Sequence, residues 1–151
     1  GMDISAVIDL KIIKTNMGAA TKEEALQQLS QLLYTNGYLT DKAEFLKDVY
    51  EREAVGQTGI GNYIAIPHGK SAYVKEIGVA IGVLNEEIPW ETLDGKGVKG
   101  IILFAVGDDT EGAQQHLKLL SLFARKLGND EVTAALLKAK EPQQVIEVFK
   151  A

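Results

Sequence analysis

Residues 59–69 read GIGNYIAIPHG, and this short stretch is the most informative one in the chain. It holds His68, one of only two histidines, between a proline and a glycine at the end of an apolar run. Pro67 has a fixed φ and no backbone donor, whereas Gly69 permits a close backbone approach that a side chain would block. A histidine held in this way can bond one ring nitrogen to the backbone and present the other. Because imidazole is largely neutral near pH 7, that second nitrogen is a nucleophile, and we interpret His68 as a reactive histidine.

Two other interpretations of His68 follow from the residues alone. One is a buried histidine whose ring nitrogens are satisfied by backbone groups. The other is a hydrolase that uses His68 as a general base. The hydrolase hypothesis is disfavoured, because such a base needs a positioned nucleophile and we identify no serine or cysteine in that role.

The composition is typical of an ordinary globular chain, with 46% hydrophobic and 25% charged residues among 151. A chain of this size buries roughly 70% of its unfolded surface, so we expect a single domain over residues 1–151 without a stabilising metal or disulfide. Since the chain has no cysteine, thiol catalysis, disulfides and thiolate-bound metals are excluded. No tight cluster of histidine and carboxylate ligands is present, so the sequence predicts neither a metal nor a cofactor.

The charge and hydropathy patterns argue against two classes of partner. The net charge of −5 comes without basic clusters, which argues against nucleic acid. No apolar run approaches the roughly 18 residues of a transmembrane helix, and the N-terminus lacks the basic start and apolar core of a signal peptide. We therefore expect a cytoplasmic protein that does not insert into a membrane. Gly1, which precedes Met2, is expected to be left over from cloning.

Helical spacing of apolar residues predicts five helices, each of which begins at a polar cap or a proline. They begin after Thr21, after Thr40, at Glu111, after Asp130 and at Pro142, and the first three end near Asn36, Glu53 and Leu127. Apolar, β-branched runs predict strands at 63–66, 77–84 and 98–106, with a further strand near 12–13. Helices and strands interleave, but not every strand pair has a helix between its members. We therefore predict an α/β layered domain with a central mixed parallel/antiparallel sheet flanked by helices.

Two further residues are candidates for binding an anion at His68. Arg52 lies just before a glycine-bearing loop, and its guanidinium presents planar donors that match phosphate oxygens. The alternative is a solvated arginine paired with Glu51 or Glu53. His116 lies near the start of a predicted helix, where the helix dipole favours an anion, and the alternative is a half-buried ring that packs as an aromatic. Taken singly, both alternatives stay open.

Residues 53–69 resemble the signature of the type-2 enzyme IIA domains of the bacterial phosphoenolpyruvate-dependent sugar phosphotransferase system (PTS). This is the fructose, mannitol and nitrogen-regulatory class. The pattern is the acidic Glu53, six variable residues, an apolar residue and a glycine, two free positions, and then IAIPHG at 64–69. Downstream, Trp90 and the sequence HLKLL at 116–120 are similar to later landmarks of the family. IPHG in this full context is specific, whereas PHG alone is not.

The resemblance implies a phosphotransferase that works through a phosphohistidine. In this family the histidine of Pro-His-Gly, here His68, accepts a phosphoryl group from the phosphohistidine of the carrier protein HPr. It passes the group to a cysteine of the IIB component, which phosphorylates sugar entering through the membrane component IIC. The resemblance also implies that Arg52 and His116 stabilise the transferred phosphate, and that the step needs no metal.

The resemblance leaves two hypotheses about the physiological role. The leading one is a transport component of the fructose type. The alternative is a regulatory protein resembling the nitrogen-related IIA, which would use the same phosphorylation as a switch and act by binding target proteins.

Overall fold

The computed structural model describes residues 3–150, so the expectation for Gly1 lies outside the described residues. Within this range the chain forms a central sheet with helices packed on both faces. The strands are β1 (Ile13–Met17), β2 (Gly59–Gly61), β3 (Ile64–Ala65), β4 (His68–Lys70), β5 (Gly78–Ile88) and β6 (Val98–Val106). The helices are α1 (Lys22–Thr35), α2 (Lys42–Val55), α3 (Thr110–Leu127), α4 (Asp130–Lys138) and α5 (Pro142–Lys150). Two short 3-10 helices, Ile4–Ala6 and Leu10–Ile12, precede β1.

The sheet is mixed, as the sequence predicts. Its strands are ordered β1-β5-β6-β3-β2, and β4 pairs with β6 beyond the end of β3. β5 and β6 are antiparallel, whereas β1 runs parallel to β5, and both β3 and β4 run parallel to β6. The predicted α/β fold with a mixed central sheet is therefore confirmed.

Two hydrophobic clusters lie on opposite faces of the sheet. α1 and α2 contribute Leu29 and Phe45 to one cluster. α3 and α5 contribute Phe123 and Phe149 to the other, which also contains Phe104 of β6. Successive strand residues alternate between the clusters, because side chains along a strand point to opposite faces. The sheet is thus the middle of three layers, and residues of β4 can meet α2 on one face and α3 on the other.

Two predicted helix caps are wrong by one residue. α2 is capped by Asp41 rather than Thr40, and the Asp41 side chain accepts a hydrogen bond of 3.0 Å from a backbone N–H in the first turn. Thr40 instead donates its hydroxyl to the carbonyl of Tyr73. α4 is likewise capped by Asn129, one residue before the predicted Asp130. In both places a carboxylate or amide oxygen reaches the free N–H groups of the helix from the residue that has extended backbone angles.

The strand predicted at 63–66 is shorter in the structure and is followed by a separate strand. It is preceded by a tight turn in which residues 61–63 have φ between +54° and +95°. Ile64–Ala65 then pairs with β6 as β3. Pro67 has no N–H to give to a ladder, and pairing with β6 resumes at His68 as β4.

Candidate active site

His68 is the first residue of β4, and the preceding proline helps to fix it on β6. The Pro67 carbonyl accepts a hydrogen bond of 3.0 Å from the Phe104 N–H, and His68 is the register partner of Phe104. Paired residues on neighbouring strands point to the same face, and the His68 ring stacks on the Phe104 ring with 5.8 Å between centroids and 14° between planes. The ring is half-buried. Within residues 3–150 no hydrogen bond reaches it, so the backbone partner that the sequence suggested for one ring nitrogen is not seen.

Gly69 is required because α2 packs directly against β4 at this residue. A Cβ at Gly69 would lie 2.2 Å from Phe45 Cζ and 2.9 Å from the Phe104 carbonyl oxygen. Phe45 is fully buried in the core beneath α2, so its ring has little room to withdraw. The glycine after the histidine therefore lets α2, which carries Arg52, approach the strand that carries His68.

His116 approaches His68 from α3, which lies on the opposite face of the sheet from α2. Asp109 caps α3 by accepting a hydrogen bond of 2.8 Å from Gly112 N, and a Cβ at Gly112 would lie 1.9 Å from the Gly107 carbonyl oxygen. The first turn of α3 is thereby held against the loop that follows β6. His116 lies one turn further on, and its ring meets the His68 ring edge-on, with 4.5 Å between centroids and 77° between planes. His116 Nε2 is buried and has no hydrogen-bond partner.

Arg52 approaches from the last turn of α2. It is half-buried, and its Nη1 donates a hydrogen bond of 2.9 Å to the carbonyl of Gly56. Its charge acts on both His68 and His116, as their pKa values show. The alternative in which Arg52 pairs with Glu51 or Glu53 is not found in residues 3–150, where the Glu53 carboxylate instead contacts Lys22 and the hydroxyl of Thr58.

The site keeps both imidazoles neutral at physiological pH. Burial, followed by the nearby His116 and Arg52, lowers the pKa of His68 to about 4. The pKa of His116 is also lowered, first by burial and then by the charges of Lys70 and Arg52. A neutral imidazole keeps one ring nitrogen with a free lone pair, which is the form that can attack an electrophile. Since the charges of Arg52 and Lys70 are positive, the site favours an anion.

The structure brings His68 and His116 into ring contact and places the charge of Arg52 where it acts on both, and it adds two residues that the sequence analysis missed. Lys70 lies two residues after His68 in β4 and so shares its face of the strand. Phe104 was predicted only as a strand residue, but its ring contacts those of both His68 and His116. The alternation of residues in β4 could have pointed to Lys70, whereas the contacts of Phe104 depend on a strand register that the sequence does not encode locally.

The described part of the chain contains neither a metal-ligand cluster nor a helix that could span a membrane. Within residues 3–150 no three histidine or carboxylate side chains come together as a group that could hold a metal ion. In the same range, none of the helices combines the length and the apolar character that crossing a bilayer demands.

The fold agrees with what comparisons with known proteins find. The chain belongs to the family described as "Phosphoenolpyruvate-dependent sugar phosphotransferase system, EIIA 2", which it matches over residues 6–151. It is 34% identical over 147 residues to the PTS fructose-specific EIIA component of Haloferax volcanii, covering 97% of this chain and 94% of that protein. Among solved structures, the nitrogen regulatory protein IIA-Ntr of Neisseria meningitidis superposes with a TM-score of 0.87 at 27% identity, covering 97% and 98% of the two chains.

Some relatives are much longer than this chain. The 2-O-alpha-mannosyl-D-glycerate-specific EIIABC component of Escherichia coli K12 is 30% identical over 148 residues. That match covers 98% of this chain but only 22% of the relative's length. This chain therefore corresponds to one part of such proteins.

Proposed function

We propose that this chain is a phosphoryl carrier of a PTS that accepts a phosphoryl group from phospho-HPr on His68 and passes it to a cysteine of a IIB component. The observation that carries the proposal is the edge-on contact of two neutral imidazoles, His68 and His116, 4.5 Å apart between centroids, in the positive field of Arg52. Family membership supports it, because the relatives are named as EIIA components.

The first step is an in-line displacement at phosphorus. The lone pair of a neutral His68 nitrogen forms a new N–P bond while the N–P bond to the donor histidine of HPr breaks, and the electron pair of that bond returns to the donor ring. Arg52 neutralises the charge on the equatorial oxygens with planar donors. His116 Nε2, which is buried without a partner, gains one by donating to a phosphoryl oxygen.

The second step reverses the roles. A cysteine thiolate of the acceptor attacks phosphorus, the bond to His68 breaks, and the ring leaves as neutral imidazole with its electron pair restored. The ring keeps the proton of its other nitrogen through both steps, so the phosphorylated ring carries a positive charge. Burial disfavours that charge, which makes neutral imidazole a good leaving group. The chain has no cysteine, so the acceptor thiol belongs to sequence other than residues 1–151.

We assign the carrier to the fructose type, with regulation as the second candidate. The fructose-specific name of the Haloferax volcanii relative supports the first, and the combined A, B and C parts in the name of the Escherichia coli relative support a IIB acceptor and a IIC membrane component. The structural match to a nitrogen regulatory protein supports the second, a phosphorylation switch that acts by binding target proteins.

Reconstitution tests the proposed function. Incubation with labelled phosphoenolpyruvate, enzyme I and HPr is expected to add one acid-labile phosphate per chain, and later addition of a fructose-type IIB is expected to remove it. His68→Ala is expected to take up no label, and label that persisted in this variant would refute the assignment. A carrier that is labelled but gives its phosphate to none of several IIB proteins would support the regulatory candidate instead.

A further inference from the structure

The loop of residues 56–58, between α2 and β2, separates Arg52 from the strands that lead to His68. A hydrogen bond of 2.7 Å closes this loop, in which the Thr58 hydroxyl donates to Glu53 Oε2. The Glu53 side chain is only 6% exposed and Thr58 is 4% exposed, so this bond is shielded from competing water.

The remaining contacts of Glu53 and Thr58 hold that bond in one geometry. Glu53 Oε1 pairs with Lys22 Nζ at 2.9 Å, and Lys22 also lies over the ring of Trp90. The indole N–H of Trp90 donates to the Thr58 hydroxyl oxygen at 3.0 Å. The hydroxyl thus gives its hydrogen to Glu53 and receives one from Trp90, which leaves it a single orientation.

One end of the loop is hydrogen-bonded to the segment that leads to His68, and the other end is hydrogen-bonded to Arg52. The Thr58 carbonyl accepts a hydrogen bond of 3.0 Å from Ile66 N, two residues before His68. At the other end, Arg52 Nη1 donates to the carbonyl of Gly56 at 2.9 Å. Gly56 itself is exposed, and a Cβ built on it would meet nothing within 4 Å, so little packing surrounds its Cα.

We propose that Glu53 and Thr58 are positioning residues that act through Arg52. Their hydrogen bond closes the loop, the closed loop places the Gly56 carbonyl, and that carbonyl holds the Arg52 guanidinium toward His68. Arginine otherwise loses rotamer entropy when it is ordered, so a preset guanidinium lowers the cost of meeting the phosphoryl group. This inference deepens the proposed function and rests on it for its kinetic test. It also gives the acidic residue of the family signature, Glu53, a physical role in this chain.

The test removes the hydroxyl without changing the shape of the side chain. Thr58→Val is expected to slow phosphoryl transfer from phospho-HPr to His68 about 10-fold in single-turnover experiments, whereas the matched control Thr58→Ser, which keeps the hydroxyl, stays within about twofold of the parent. In an Arg52→Ala background, Thr58→Val is expected to cause no further loss. An equal loss in both backgrounds would overturn the proposal, because the hydroxyl would then act independently of Arg52.

A second measurement needs neither HPr nor phosphate. The charge of Arg52 holds down the pKa of His68, so a guanidinium that swings away in Thr58→Val lets that pKa rise, as NMR titration of the ring would show. Thr58→Ser is expected to leave the pKa unchanged, and a parental pKa in Thr58→Val would contradict the positioning role. If Thr58→Val does not fold, Glu53→Met, which has a similar length and no oxygen to accept from the Thr58 hydroxyl, replaces it with the same expected outcomes and the same contradicting ones. A parent chain that takes up no phosphate would refute the proposed function, whereas the titration would still test the positioning of Arg52.

Discussion

Replacing Gly69 by alanine tests whether the site depends on the close approach of α2 to β4. The added Cβ would lie 2.2 Å from Phe45 Cζ and 2.9 Å from the Phe104 carbonyl oxygen. Ordinary carbon contacts are about 3.5–4.0 Å, so the Phe45 ring must withdraw by more than about 1 Å from a filled core. Overpacking of this kind costs about 1–3 kcal/mol of unfolding free energy, and each kcal/mol lowers the Tm of a chain this size by about 2–4 °C.

Urea unfolding followed by circular dichroism measures this cost. Gly56→Ala is the matched control, because its Cβ would meet nothing within 4 Å and its φ of 177° is open to alanine. In a Phe45→Leu background, which removes the colliding ring atom, the cost of Gly69→Ala is expected to shrink. Gly69→Ala unfolding at the parental urea concentration, or costing the same in both backgrounds, would refute the packing argument.

Three further predictions concern the chemistry of the site. Arg52→Ala and His116→Ala are each expected to slow transfer to a IIB component about 100-fold with the fold retained by circular dichroism, and parental rates in both would show that their assigned roles are wrong. The lowered pKa of His68 predicts an NMR titration midpoint near 4 rather than near 6.5. Because His68 then takes up a proton at a higher pH in the unfolded chain than in the folded one, the free energy of unfolding is expected to fall as the pH drops from about 6.5 toward 4. An equal dependence of that free energy on pH in His68→Phe would contradict this linkage. A chelator added to transfer from purified phospho-HPr is expected to leave the rate unchanged, and a lost rate would reveal a metal requirement.

Local signals in the sequence were enough for most of the secondary structure. The polar cap Thr21 and the proline at Pro142 mark the starts of α1 and α5, and the β-branched run at 98–106 coincides with β6. Leu117 illustrates where such signals fail. Its helical spacing from Leu120 predicts a position on the apolar side of α3, but it is 70% exposed, because Leu119 and Phe123 face the sheet instead.

For the site, too, the sequence indicated the residues but not how they come together. His68, Arg52 and His116 could be proposed from residue type and family resemblance, yet their meeting depends on α2 and α3 packing on opposite faces of one strand. The role of Glu53 was out of reach of the sequence, because its partner Lys22 lies 31 residues away. Contacts between residues that are distant in the chain are set by packing, and no local pattern records them.

Peptide mapping of the phosphorylated protein tests the central claim most directly. After reaction with phospho-HPr, the chain would be digested at neutral to alkaline pH, where an N–P bond survives, and each of its two histidines located by fragmentation mass spectrometry. The proposed carrier role predicts phosphate on His68 and none on His116. Phosphate on His116, or on a side chain other than a histidine, would contradict it.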